Sequence, residues 1–491
     1  MNRLTRRQLL ALGLAGAGMA AAGGAGLWWT STLATEGYSG EGGDSFSEPV
    51  VLSSVDGLLE IELEAASTSL QIGEHQATVL AFNNSLPGPT LRVSPGDTLR
   101  VRMLNRLDAP TNLHVHGLHV SPEGNGDNPF VHIEPGATFD YEYQIPDDHP
   151  PGTYWYHPHL HGQVADQLAA GLYGAIIVEE AQPVPTTRER LLVLSDISID
   201  SSGNIVDASL MERMMGREGQ LVLVNGQIRP LLAGTGGERE RWRIINACPS
   251  RYLRLSLEGQ QVRLLSRDMG RLPVPVDVTE VELAPGNRVE LLVETSKGIS
   301  TLLASPVNRG AMGGMMGVMG TGEDKPVELL KLEVVGDQVS ALPPFPTALA
   351  RRDLREEPVA RRRVLDFGIG GMMGGMMDGD GDSMMSFTIN GREFDAARLD
   401  TSVRAGDIEE WTLTNSSPMD HPVHLHVWPM QVVNGGDQDL TDPLWLDVVN
   451  VPAFGQITVR IPFEDFTGRT VYHCHILDHE DLGMMGTVEA A

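Results

Sequence analysis

Near the end of the chain, His473-Cys474-His475 is followed by His479, Glu480 and Met484. The triplet continues a strand-like stretch, Gly468 to Tyr472. Adjacent side chains on a strand point to opposite faces, so Cys474 faces one way and His473 and His475 the other. One strand can then serve two metal sites joined by a few covalent bonds. On the Cys474 side, a thiolate, the His479 imidazole and the Met484 thioether are the soft donor set of a blue-copper electron-transfer site, which needs a second imidazole from elsewhere. A buried cysteine between two core histidines would explain the triplet alone, but not His479 and Met484 as well.

Four His-x-His pairs stand along the chain: His114/His116, His157/His159, His424/His426 and His473/His475. The two imidazoles of each pair fall on one strand face. Zinc sites usually close at four ligands, so eight imidazoles imply more than one metal. Shared as two, three and three, they suit three under-coordinated metals with room for an exogenous ligand. His421, in His421-Pro-Val-His424-Leu-His426, is the second imidazole for Cys474.

These residues need rigid strands to hold them. From Pro49 onward the sequence alternates in short runs broken by Pro and Gly turns, the pattern of all-β sandwiches. An internal repeat sets the domain number. Its copies run from Asn83-Asn84 to the strand ending at Asn105, from Asn225-Gly226 to Asn246, and from Asn390-Gly391 to Asn415. His114 and His116 follow Asn105 at the same offsets as His424 and His426 follow Asn415, whereas those offsets from Asn246 hold Leu255 and Leu257. The middle domain is therefore expected to carry no ligands and to act as a spacer or lid. The domain ends repeat as well, with Pro158 standing where Cys474 stands, so the first domain offers a histidine face but no thiolate. The expected division is 1–47 leader and linker, 48–183, 184–345 and 346–491.

The 491 residues suit about three domains by length. A net charge of −29 argues against nucleic acid and anionic membrane surfaces as partners. With Cys474 on a metal, Cys248 has no partner within the chain for a disulfide. Arg6-Arg7 ahead of a Gly/Ala/Leu-rich run to about Trp29 reads as a twin-arginine export signal, leading to an extracytoplasmic or periplasmic location and no lasting membrane span. A plain membrane anchor is the competing reading, and the cleavage site is open. Thr35 to Ser47 reads as a linker.

His114-Val-His116-Gly117, His157-Pro-His159, His421-Pro-Val-His424-Leu-His426 and the His473 to Met484 run resemble, in order, the four copper motifs of multicopper oxidases, the family of laccases and bacterial copper-efflux oxidases. The resemblance covers essentially all of the chain after the leader. It implies three cupredoxin-like Greek-key β-sandwich domains and four copper ions. A type 1 copper is implied at His421, Cys474, His479 and axial Met484, and a type 2 copper at His114 and His424. A type 3 pair is implied at His116, His157, His159, His426, His473 and His475, between the first and third domains. The implied activity is one-electron oxidation of a donor coupled to reduction of dioxygen to water. Water formation consumes protons, and Asp127 and Glu480 are the candidate relays. The alternative for both is an ordinary solvated or ligand-orienting carboxylate. Asp127 departs by two residues from the family's loop spacing. His119 and His161 lie near the motifs but outside them; His75, His132 and His149 read as solvated.

Two Met-rich stretches, Ala311 to Met319 and Gly370 to Met385, lack helix or strand periodicity. One reading is flexible loop filler; the favoured one is a thioether surface for cuprous ion. They resemble the Met-rich insert of copper-efflux oxidases, but sit in two places. The expected donors are cuprous ion or phenols. A laccase confined to aromatic donors, or a non-enzymatic copper-binding protein on the same fold, are the competing readings. A monomer is the expectation for assembly.

Overall fold

The computed structural model describes residues 43–310, 325–336, 343–345, 351–370, 386–435 and 440–491. The export signal and both Met-rich stretches, apart from Gly370, lie outside the described residues. Six sheets form, two from each third of the described chain. The three cupredoxin-like Greek-key β-sandwiches repeat one topology. In the first, Leu58–Ile72 runs parallel to Thr98–Asn105, which pairs antiparallel with Thr138–Gln144. Arg188–Ile197, Arg239–Asn246 and Arg288–Glu294 repeat this in the second, and Arg361–Gly370, Ile408–Asn415 and Gln456–Pro462 in the third. Each sandwich buries an apolar cluster between its sheets, and the first cluster also takes in Met269, Leu354, Ile408 and Trp445 from the other two. All three belong to one unit, Asp44–Ala491. Ser45, read as linker, bridges in parallel to Leu231 on the second sandwich.

The repeated Asn-containing turns have a conformational reason. Asn225 and Gly226 both take positive φ (51° and 75°), as do Asn390 and Gly391 (55° and 71°), the hairpin geometry that favours this dipeptide. The strand-ending asparagines work as staples. Asn105 Nδ2 donates to Ala109 O and Ile133 O while its Oδ1 accepts from Leu107 N. Asn415 repeats this with Met419 O, Val451 O and Ser417 N, and Asn246 with Arg251 O, Leu283 O and Cys248 N. Each staple satisfies buried polar groups and fixes where the next strand starts.

The staple also resets the alignment of the middle domain. Ala109 and Met419 lie four residues past their asparagines, whereas Arg251 lies five past Asn246. Counted from the staple, the counterparts of His114 and His424 are not Leu255 but Ser256, and those of His116 and His426 are not Leu257 but Glu258. Leu255 and Leu257 face the apolar core of the second sandwich. The expected alignment of the middle domain on Leu255 and Leu257 is therefore off by one residue, a shift that exchanges strand faces.

His149 corrects the sequence reading in another way. It is only 2% exposed, not solvated. Its Nε2 accepts from His119 N (3.0 Å) and its Nδ1 donates to Pro150 O (3.0 Å). Burial pushes its pKa down to about 3. Between about pH 6.5 and 3 the unfolded chain therefore takes up a proton that the folded chain refuses, so stability falls as pH drops through that window, by about 1.4 kcal/mol per pH unit at most. His149→Gln should flatten the dependence of the urea midpoint on pH between 6 and 4 by up to one proton. An unchanged slope would contradict a neutral buried ring.

Candidate metal centre

The third sandwich's strand pair sorts its candidate ligands by face. His421–Leu425 pairs with Gly468–Cys474 so that Val423 lies opposite Cys474 and His424 opposite His473. His421 shares the Val423 face and so reaches the sulfur, while His424 and His473 face the other way. In the first sandwich, His114 pairs with His157 in the matching register. His479 comes from a short helix, Leu477–Asp481, directly after the strand.

On the sulfur side, Cys474 Sγ lies 3.5 Å from His421 Nδ1 and 3.9 Å from His479 Nδ1. Ligands of one trigonal ion, with metal–nitrogen and metal–sulfur bonds of protein type, would stand about 3.7 Å apart. The far ring nitrogens are held elsewhere: His421 Nε2 by Ser417 Oγ (2.8 Å), and His479 Nε2 against Met214 O (3.2 Å). Phe387 stacks on His479 at 4.1 Å. Ile476 N donates to Cys474 Sγ at 3.4 Å, a contact that tempers the charge on the sulfur. Met484 is wholly buried in the same apolar cluster as Cys474. Burial pushes the Cys474 thiol far up, so a cation at this site is what would draw off its proton.

The eight paired imidazoles gather between the first and third sandwiches. His159, His426 and His473 form one trio and His116, His157 and His475 another, while His114 and His424 close a third group with His116. In the first trio, His159 Nε2 lies 3.1 Å from His473 Nε2 and 3.2 Å from His426 Nε2. Two nitrogens 2.0 Å from one tetrahedral ion stand about 3.3 Å apart, so this spacing would suit shared ligation. Outer nitrogens are anchored on oxygen: His114 Nδ1 on Asp127 (2.9 and 3.0 Å), His157 Nδ1 on Pro158 O (2.8 Å) and His424 Nδ1 on Asp447 O (2.7 Å). The inner Nε2 atoms of His114, His157 and His424 are buried with no hydrogen-bonding partner among the described residues. Nitrogens left bare on one side and oriented on the other are what a metal requires. Burial keeps the rings neutral: His421 is pushed to about 3, His159 and His473 to about 4, and the rest well below the ordinary value.

Both candidate carboxylates lie in this cluster. Asp127 grips His114 and also accepts from Val115 N (3.1 Å), the arrangement of a ligand-orienting group. Glu480 is fully buried, with Oε2 3.0 Å from His473 Nδ1 and Oε1 3.5 Å from His159 Nε2. Burial lifts its pKa to about 7, against the pull of His159.

Several neighbours carry no motif in the sequence. Ser417 and Met214 hold rings on the sulfur side, and Asp447 and Arg288 stand behind His116 and His424. Gly286 takes φ +86°, and a side chain there would come within 3.0 Å of the His475 ring. The middle sandwich, expected to be a spacer or lid, therefore packs directly on both groups of candidate ligands.

Three stretches, residues 64–183, 190–306 and 372–491, match family profiles described as multicopper oxidase. The multicopper oxidase mco of Staphylococcus haemolyticus is 27% identical over 425 residues, covering 84% of either chain. The cell division protein FtsP of Dickeya dadantii is 27% identical over 438 residues, covering 85% of this chain and 86% of its own. A solved multicopper oxidase from Campylobacter jejuni, described as a metallo-oxidase, superposes with a TM-score of 0.80 at 30% identity, covering 91% of this chain and 95% of that one. The ligand geometry and the matches along all three sandwiches agree: the chain belongs to the multicopper oxidase family, copper oxidoreductases that take dioxygen as electron acceptor.

Proposed function

We propose that this chain is an exported oxidase that couples one-electron oxidation of cuprous ion, and of phenolic donors, to four-electron reduction of dioxygen to water. The observation that carries this is the sorting of ligands on one strand: Cys474 on one face with His421 and His479, and His473 and His475 on the other among the remaining imidazoles. On this reading His421, Cys474, His479 and axial Met484 hold a type 1 copper, and His114 and His424 a type 2 copper. The trios His116/His157/His475 and His159/His426/His473 hold the type 3 pair. Copper bound there supplies one-electron acceptance on the sulfur side and dioxygen reduction among the imidazoles.

The chain's own residues do the rest. The Cys474 backbone gives the shortest covalent route between the two faces. Asp127 and the carbonyls of Pro158 and Asp447 hold rings in the ligating tautomer. Glu480, sealed from water against His473 and His159, is positioned to deliver a proton to the cluster. The proposed domain division is 48–183, 184–345 and 346–491, supported by the topology that each third repeats. Export rests on Arg6-Arg7 and the apolar run after it; among the described residues no helix is long and apolar enough to cross a membrane.

The choice of donor rests on soft ligands around His479 and His421. In the helix Leu210–Met215, Met211, Met214 and Met215 share one face, and no residue of that helix is buried. The Met214 carbonyl faces His479 Nε2, and Met211 is 53% exposed. The described flanks of the Met-rich stretches also lie here. Arg309 O accepts from Asp420 N beside His421, and Gly370 pairs with Ser386 next to Phe387, which stacks on His479. The Campylobacter relative's description as a metallo-oxidase agrees.

Copper content and oxygen uptake on cuprous and phenolic donors test the reading. Replacing Met211, Met214 and Met215 together by Leu keeps apolar bulk and removes the thioethers. KM for cuprous ion should rise about tenfold, the scale of roughly 1.4 kcal/mol of lost binding, with phenol oxidation unchanged. Equal effects on both donors would favour a laccase for aromatic donors.

A further inference from the structure

The middle sandwich supplies none of the candidate ligands, yet one of its side chains touches all three sandwiches. Arg288 opens the strand Arg288–Glu294 and is 1% exposed. Its Nε donates to Thr153 O of the first sandwich (3.0 Å). Its Nη1 donates to Asp447 Oδ1 of the third (2.5 Å) and to Gly286 O of its own (3.3 Å). Asp268, 3.4 Å away, accepts from the Arg288 backbone N (2.7 Å) and from Asn287 Nδ2 (2.8 Å), so the guanidinium is held from behind.

Asp447 carries this grip to two rings. Its Oδ2 lies 3.4 Å from His116 Nε2, and its backbone O accepts from His424 Nδ1 (2.7 Å). Those rings, one from each ligand-bearing sandwich, stack at 3.8 Å and 11°. The carboxylate reaches in through a gap that only glycine leaves. Gly117 has φ +85°, and a Cβ there would lie 2.3 Å from Asp447 Oδ2 and 2.7 Å from Arg288 Nη2. Both ring nitrogens of His116 stay without a hydrogen bond among the described residues, whereas His424, bonded through Nδ1, is left its Nε2.

We infer that Arg288 is a positioning residue for dioxygen reduction: its planar fork holds Asp447, whose backbone carbonyl fixes the tautomer of His424 and whose carboxylate stands beside His116, so that the stacked pair keeps its orientation. The inference rests on the reading of those two histidines as copper ligands. A point charge in place of the fork would keep the ion pair but lose the simultaneous bonds to Thr153 O and Asp447. Removing the charge would leave Asp447 buried beside Asp268 without a cation.

The test compares Arg288→Lys and Arg288→Met with the wild type in the full copper-loaded chain. Copper retention against a competing chelator, anaerobic bleaching of the blue band by a phenol, and reoxidation by dioxygen are measured separately. Arg288→Met should lose copper from the imidazole cluster about 10- to 100-fold more readily, the usual scale for a partner that orients a ligand, and reoxidise correspondingly slowly. Its blue band and bleaching should stay as in the wild type. Arg288→Lys should fold, keep its blue band and fall between the two. Wild-type retention and reoxidation in Arg288→Met would overturn the inference. So would full rescue by Lys, which would make charge alone sufficient. If Arg288→Met fails to fold, the Lys comparison decides by itself. A wild-type chain that binds copper only on the sulfur side would instead sink the reading beneath.

Discussion

Replacing Cys474 by serine should abolish the blue absorption, lower the copper content by one ion per chain and stop donor oxidation, while the imidazole cluster keeps its metal. Cys474 Sγ is the only thiol within reach of His421 and His479, at 3.5 and 3.9 Å. A serine oxygen is a hard donor and poorly suited to a metal that shuttles one electron. The buried pocket gives no substitute: Ser417 Oγ already faces His421 Nε2, on the far side of that ring. The loss in rate should exceed about 10³-fold, the scale on which removal of an indispensable group acts. Cys248→Ser is the control. Cys248 is equally buried, but it lies in the apolar cluster of the middle sandwich, and its substitution should leave the spectrum intact. A Cys474→Ser protein that stays blue and oxidises phenols would remove the basis for placing an electron-accepting site on this strand face.

What could be read from the chain, and what could not, divides along physical lines. The candidate ligands are legible because metals demand rare side chains and β-strands return them with period two: His424 and His473 meet across one strand pair, as His114 and His157 do across another. The repeated Asn positions were legible as a repeat, but their task was not. Only the folded chain shows Asn105, Asn246 and Asn415 stapling the next connection, and so reveals that Ser256, not Leu255, stands where a histidine would. Asp447 and Arg288 left no trace, because a carboxylate and a guanidinium far apart in the chain have no spacing rule. The helix Leu210–Met215 was hidden by its length, since six residues are too few to establish a helical period. In the sequence His149 resembles any surface histidine; only the fold shows its Nε2 accepting the His119 amide.

Glu480→Gln and Asp127→Asn should separate two carboxylates that sequence reading put in one role. Glu480 lies between His473 and His159 with both oxygens free of backbone donors among the described residues, and it is sealed from bulk water. Water formation at the cluster consumes protons, and a carboxyl in this position can hand one inward and be refilled. Glutamine keeps the size and the hydrogen-bonding reach but cannot carry the proton. Steady-state oxygen uptake should therefore fall about 10²-fold, the lower end for loss of a proton-transfer group, with copper content and the blue band unchanged. Asp127 is differently tied: both oxygens lie within 3.0 Å of His114 Nδ1, and one also accepts from Val115 N. Its substitution should act on His114 itself, weakening copper retention there about 10- to 100-fold and slowing turnover only as metal is lost. Adding copper back should restore Asp127→Asn and leave Glu480→Gln slow. The reverse pattern would assign the proton to Asp127 and leave Glu480 as a buried prop for His473.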